Sequence, residues 1–136
     1  MEARPRFHFQ FSDKFNAATY LRFLKRVVRC NHDKKVFLIA DNARYHHAKL
    51  VKEWVALNSD KVELFFLPAY SPEFNAVEHI WRMTKRKTTH NRHFKTLDAL
   101  HGKVFRRFNR YQGNPIALTS AIARFLPRSR KRACKS

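Results

Sequence analysis

Phe7, Phe9 and Phe11 alternate with Arg6, His8 and Gln10. A period of two puts apolar side chains on one face of an extended segment, so the pattern predicts a half-buried strand over residues 6–11. Asn16 is a residue type that caps helices. Beyond it Ala17, Tyr20, Leu21, Leu24, Val27 and Val28 recur at helical spacing, with Arg22, Lys25, Arg26 and Arg29 mostly opposite, which predicts an amphipathic helix. Residues 36–40, Val-Phe-Leu-Ile-Ala, form an unbroken apolar run that stops at Asp41-Asn42. Such a run suits a strand covered on both faces at the centre of a parallel sheet. Leu50, Val51, Trp54 and Leu57 mark a second helix over 49–57, and Val62-Glu63-Leu64-Phe65-Phe66-Leu67 a further strand. Pro68 and Pro72 disfavour helix at the residues before them, so 68–72 reads as a loop. A helix then begins near Ala76, with Val77, Ile80, Trp81 and Thr84 on one face and Arg82, Lys85 and Arg86 on another. Thr96 caps a further basic helix, and Pro115 opens a last one to about Leu126. The order is β-α-β-α-β followed by helices, an α/β fold.

Composition narrows the class. With 136 residues, 44% hydrophobic, 13 Phe and 2 Trp, the chain has material for one core and does not read as disordered. Its 2 Gly both come late, which excludes a glycine-rich phosphate loop and a dinucleotide fingerprint. Cys30 and Cys134 match neither a disulfide framework nor a paired zinc motif and read as thiols. No apolar run approaches the roughly 20 residues of a membrane helix, and Met1 is followed by Glu2, Arg4 and Arg6 rather than an apolar leader. A soluble, cytoplasmic chain is expected.

Charge changes the picture most. The formal net charge is +19, from 29 Lys and Arg against 10 Asp and Glu. Up to Glu78 there are 13 basic and 9 acidic residues, a net of +4; the 58 residues after it hold 16 basic residues and one acid, Asp98, a net of +15. The excess gathers at residues 82–87, along Lys103, Arg106, Arg107 and Arg110, and at residues 128–132. An excess this one-sided calls for a polyanion, and nucleic acid leads. Tyr45, Tyr70 and Trp81 could stack on bases, although Trp81, at helical spacing from Val77 and Ile80, suits a core.

Two carboxylates carry the candidate chemistry. Asp41 ends the most apolar strand, where open α/β sheets place their ligand sites. Glu78 lies 37 positions on, at the start of a helix, and the intervening β-α-β unit could bring the two together. Carboxylates converging beside a basic surface are what two-metal phosphoryl transfer requires, because hard Mg²⁺ prefers oxygen ligands. Each residue alone has a plainer explanation, Asp41 as a turn residue and Glu78 as an acidic residue favoured by the helix dipole. His46 and His47 are adjacent and cannot share a helix face as a metal pair. Ser71, between Tyr70 and Pro72, suits a turn rather than a nucleophile.

The segments Leu38-Ile39-Ala40-Asp41-Asn42-Ala43-Arg44-Tyr45-His46 and Leu67-Pro68-Ala69-Tyr70-Ser71-Pro72-Glu73-Phe74-Asn75-Ala76-Val77-Glu78-His79-Ile80-Trp81 resemble two blocks of the DDE-type transposase domain of the insertion-sequence 630 and Tc1/mariner superfamily. The resemblance spans about residues 7–108, with Ala76 and Val77 standing where that family commonly has Pro and Ile. It implies a ribonuclease H-like fold, with Asp41 and Glu78 as the second and third members of an acidic triad binding Mg²⁺ or Mn²⁺. It also implies hydrolytic nicking of transposon ends followed by transfer of the freed 3′-hydroxyl to target DNA. Asn42, His46, Arg82, Lys85, Arg86 and Lys87 are the expected DNA contacts.

The first Asp of the triad has no counterpart here. Glu2, Asp13 and Asp33 are the nearest acids and none suits the role. The expected architecture is therefore an incomplete ribonuclease H-like α/β domain over residues 1–112, lacking the first two strands of its sheet. A C-terminal helix and basic tail would follow over 113–136. Such a chain is expected to be inactive alone and to pair with a second copy or with an upstream transposase fragment. The rival reading is a non-catalytic cationic DNA-binding module that pairs or competes with an intact transposase.

Overall fold

The computed structural model describes residues 5–126. Five α-helices and two strands run in the order α1 (Ala17–Arg29), β1 (Val36–Ala40), α2 (Lys49–Leu57), β2 (Val62–Phe66), α3 (Ala76–Thr84), α4 (Leu97–Gly113) and α5 (Pro115–Ile122). Packing divides the chain between Asn75 and Ala76. One unit comprises residues 8–75, and the described part of the other joins residues 5–7 to 76–126. The boundary position expected at 112/113 lies in the last turn of α4, and α4 and α5 pack on each other. The basic cluster at 128–132 and Cys134 lie outside the described residues.

In the first unit, the Asn16 side chain accepts a hydrogen bond from the Thr19 N–H at 3.0 Å, satisfying one of the donors that a helix start leaves unpaired. The α1 stripe then buries Leu24 and Val28 against Val51 of α2 and Val62 of β2, with Tyr20, Leu21, Val36, Leu38, Trp54 and Val55 around them. The strands pair in parallel, Val36 opposite Val62 through Ala40 opposite Phe66. α2 supplies the crossover that a parallel pair requires.

Two expectations are corrected. The sheet has two strands among the described residues, so β1 is not central. Its faces differ: Val36, Leu38 and Ala40 are half-buried, while Phe37 and Ile39 are 62% and 69% exposed. Both helices of this unit pack on one side of the sheet, and an apolar run does not bring cover to the other. Residues 6–11 form no strand either. Alternation specifies a face, but a strand also needs a neighbour for its backbone groups, and here β1 and β2 pair with each other. The phenylalanines are used differently. Phe7 belongs to the second unit, its ring 5.4 Å from Phe108 and 5.6 Å from Tyr111. The Phe9 carbonyl accepts from the Arg26 guanidinium.

The second unit is helical. Thr96 caps α4, its hydroxyl accepting from the Ala99 N–H at 3.2 Å, and Asn114 caps α5 in the same way from Ala117 at 3.0 Å with Pro115 in the first turn. Ile80, Thr84, Thr88, Phe108, Tyr111, Leu118 and Ala121 are its buried residues. Among the described residues, no helix is long and apolar enough to cross a membrane.

Candidate active site

Asp41 leaves β1 at its carboxyl end and turns at once into a 3₁₀ segment, Arg44–His47. One carboxylate oxygen, Oδ1, accepts the Ala43 N–H at 3.1 Å, an Asx turn that holds the side chain against its own backbone. His46 Nδ1 lies 2.8 Å from the Asp41 carbonyl oxygen and 3.1 Å from Oδ1. Both neighbours are acceptors, so Nδ1 carries the proton. The imidazole is 7% exposed, with ring centroids 4.4 Å from both Tyr20 and Tyr45. The Asp41 side chain remains half exposed. Burial first, then the Tyr45 and Asp41 charges, push the Tyr20 phenol up to about 12. Burial and Asp41 raise Tyr45 likewise. Both tyrosines are thus neutral hydroxyl groups beside the carboxylate.

Asn42 ties this turn to the end of the other strand. Its amide nitrogen donates to the Leu67 carbonyl at 2.8 Å, and the Leu67 N–H donates to the Ala40 carbonyl at 2.8 Å. His47 Nε2 lies 3.3 Å from Asn42 Oδ1, and its ring stacks on Phe66 at 4.1 Å with 21° between the planes. The segment that follows is the loop the two prolines predict. Its Ser71 hydroxyl donates to the Ala69 carbonyl at 3.3 Å, a turn contact.

In the second unit, Glu78 occupies the first turn of α3, exposed, where the helix dipole favours a carboxylate. The expected apolar face holds for Ile80 and Thr84, both buried. Trp81 is 42% exposed, with its ring 5.3 Å from Phe108, so it is only partly core. α3 runs into a π-helical turn, Lys85–Thr89, closed by the His90 N–H to the Lys85 carbonyl at 2.8 Å. Arg82, Lys85, Arg86 and Lys87 are all exposed. His79 escaped the sequence reading: its Nδ1 is buried with no hydrogen-bond partner among the described residues. Burial, with Arg124, Arg82 and Arg86 nearby, lowers its pKa. A histidine one position after a glutamate carries no signal that would single it out.

The structure gathers Asp41, Asn42 and His46 in one turn, and Glu78, Arg82, Lys85, Arg86 and Lys87 on one helix with its π turn. Asp41 and Glu78 belong to different units. His46 is 7% exposed and bonds Asp41, which leaves its ring little surface.

A family model described as DDE superfamily endonuclease matches residues 1–101. The chain belongs to this superfamily. It is 29% identical over 90 residues to the "Insertion element IS630 uncharacterized 39 kDa protein" of Shigella sonnei, a match covering 65% of this chain and 26% of the relative. It is 36% identical over 63 residues to "Uncharacterized protein y4pE/y4sA" of Sinorhizobium fredii, covering 46% of this chain and 43% of the relative. The chain thus spans less than half the length of either curated relative. DDE domains are ribonuclease H-like, and the endonucleases of this superfamily generally use divalent metals. The donor chemistry suits such ions, since carboxylate oxygens are hard ligands. The ligand number does not: among the described residues no group of three or more His, Cys, Asp and Glu side chains is placed to hold a metal.

Proposed function

We propose that this chain contributes the second and third carboxylates, Asp41 and Glu78, of a DDE site that cuts and joins DNA in the movement of an insertion sequence. The observation that carries the reading is the family match together with an Asp41 held at a strand end by two hydrogen bonds, from the Ala43 N–H and His46. Asp41 and Glu78 would be ligands for Mg²⁺ or Mn²⁺, which when bound supplies Lewis-acid charge to the phosphate. Around that role the chain's residues divide the work. His46 is a positioning residue that fixes the Asp41 carboxylate, and Asn42 locks the turn to β2. Arg82, Lys85, Arg86 and Lys87 neutralise backbone phosphates of transposon-end or target DNA. In the first reaction a water oxygen attacks phosphorus and the P–O3′ bond breaks, the 3′-oxygen leaving with a proton. In the second that 3′-hydroxyl attacks a target phosphodiester and displaces another 3′-oxygen.

The described residues supply two of three carboxylates, so we assign the isolated 136-residue chain DNA binding without cleavage. Activity would need a further carboxylate, from an upstream transposase fragment or a second copy. We place the protein in the bacterial cytoplasm, on the nucleoid when bound. Incubation with supercoiled plasmid and Mg²⁺ or Mn²⁺ tests this. Cleavage by the parent that is lost in both Asp41→Ala and Glu78→Ala supports the site and overturns the assigned inactivity. Cleavage that survives either substitution refutes the site. The second reading, a cationic DNA-binding module without catalysis, is favoured by the net of +15 after Glu78. It is distinguished by adding the upstream fragment: restored cleavage that depends on Asp41 excludes it.

A further inference from the structure

The loop after β2 holds one residue that neither packing nor backbone preference explains. Tyr70 is 101% exposed, so its ring covers nothing. Its φ is 56°, the left-handed region where glycine is at home and an aromatic residue costs about 1–3 kcal/mol. A ring buried elsewhere, or a glycine here, would each be the more stable choice for folding alone. The kink is nonetheless well determined. Leu67, at the loop's root, is bonded through its N–H to Ala40 and through its carbonyl to Asn42. Beyond Tyr70 the Phe74 N–H donates to the Ser71 carbonyl at 3.2 Å, in the 3₁₀ turn Pro72–Phe74. Tyr70 is three residues from Leu67, so its Cα lies within about 11 Å of a residue bonded to the neighbour of Asp41. At the same end of the sheet, His47 and Phe66 already form an aromatic stack.

We infer that Tyr70 is a stacking platform for one unpaired nucleobase of the bound DNA, beside the Asp41 turn. The inference rests on the DNA reading above and adds a base-facing residue to it. A solvated ring gains from a ligand only if that ligand offers a flat π-face, and a chain of net charge +19 selects polyanions. Bases inside a duplex have both faces occupied by their neighbours; an unpaired base at a nicked or frayed end does not. Stacking is indifferent to base identity, so the subsite discriminates strand structure and not sequence.

The test is fluorescence anisotropy of the full 136-residue chain with a blunt duplex and with the same duplex bearing a short unpaired 3′ extension, in EDTA. The variants are Tyr70→Gly, which removes the ring and relieves the left-handed residue, and Tyr70→Trp, which keeps a stacking face. The parent is expected to prefer the extended duplex. Tyr70→Gly should lose about five- to tenfold in affinity for it, with blunt-duplex affinity unchanged and thermal stability equal or higher. Tyr70→Trp should retain the preference. Equal affinity of parent and Tyr70→Gly for the extended duplex, or equal losses on both duplexes, overturns the subsite and leaves the Asp41 and Glu78 reading standing. Failure of the parent to bind either duplex overturns the DNA reading itself. Because EDTA removes metal, neither result depends on the cleavage assay.

Discussion

Replacing Phe37 and Ile39 together by threonine probes the open face of the sheet. Fully burying such a side chain is worth about 1.5–3 kcal/mol. Phe37 and Ile39 are 62% and 69% exposed, so roughly a third of each is covered and each contributes about 0.5–1 kcal/mol. Threonine is β-branched and keeps strand propensity, so no further penalty arises. The double variant should therefore lower unfolding free energy by about 1–2 kcal/mol. Leu24→Ala, at a site 1% exposed on the covered face of the sheet, should cost about 2–5 kcal/mol, because it adds a cavity to the lost transfer energy. Urea unfolding followed by circular dichroism gives both numbers, with equal slopes required for the comparison. Sedimentation velocity gives a second readout: Phe37, Ile39 and Phe65 make a contiguous apolar surface, and removing two of them should reduce concentration-dependent self-association. A loss above about 3 kcal/mol in the double variant, comparable to Leu24→Ala, would refute the one-sided cover of β1.

Further predictions concern single groups. The Tyr111 side chain is buried, and its hydroxyl has no hydrogen-bond partner among the described residues; Tyr111→Phe should leave melting temperature unchanged or raise stability by about 1 kcal/mol in calorimetry. Tyr20 has its pKa raised from 10.0 to about 12, so the fold favours its protonated form. Its contribution is complete below pH 10 and is lost as pH rises toward 12, a decline in urea midpoint that Tyr20→Phe should lessen. His46→Asn keeps an N–H donor near Asp41 and should retain more metal affinity than His46→Ala, read by isothermal titration with Mn²⁺; equal affinities would argue against a positioning role. If about 6–10 cations meet phosphates, DNA affinity should fall about 10³–10⁵-fold between 50 and 200 mM salt. Charge removal at Arg82, Lys85, Arg86 and Lys87 should flatten that slope by about one for each phosphate-bound cation replaced.

The helices were the legible part, because each carries its own evidence. Asn16, Thr96 and Pro115 mark starts through local chemistry, and the α1 stripe repeats over 13 residues. The parallel pair was legible for a related reason: an apolar run, a helix and a second run leave few ways to bury the intervening stripe. The strand expected at 6–11 failed because alternation is a statement about one segment, whereas a strand requires a second segment to pair with. The same gap separates the site's two halves. Asp41 and Glu78 were singled out by their places at a strand end and a helix start, and their catalytic roles are what the family resemblance implies. Neither position states what else converges there, and the described residues bring no third carboxylate to either.

His46 shows how a fold gives a polar residue a contact that its place in the sequence does not announce. In the sequence it matches a position of the family, and the resemblance makes it an expected DNA contact. In the fold the turn is so tight that Nδ1 meets both oxygens of the preceding Asp41, carbonyl and carboxylate, while Tyr20 and Tyr45 cover the ring. The positioning role proposed for His46 follows from that commitment of its donor to Asp41. Tyr70, expected in the loop between the two prolines, is fully exposed and turned outward by the backbone at φ 56°. Residues that break the local rule for their type are where function and folding make different demands. At this end of the sheet the buried histidine and the solvated tyrosine break it in opposite ways, one bonded to Asp41 and the other fully exposed.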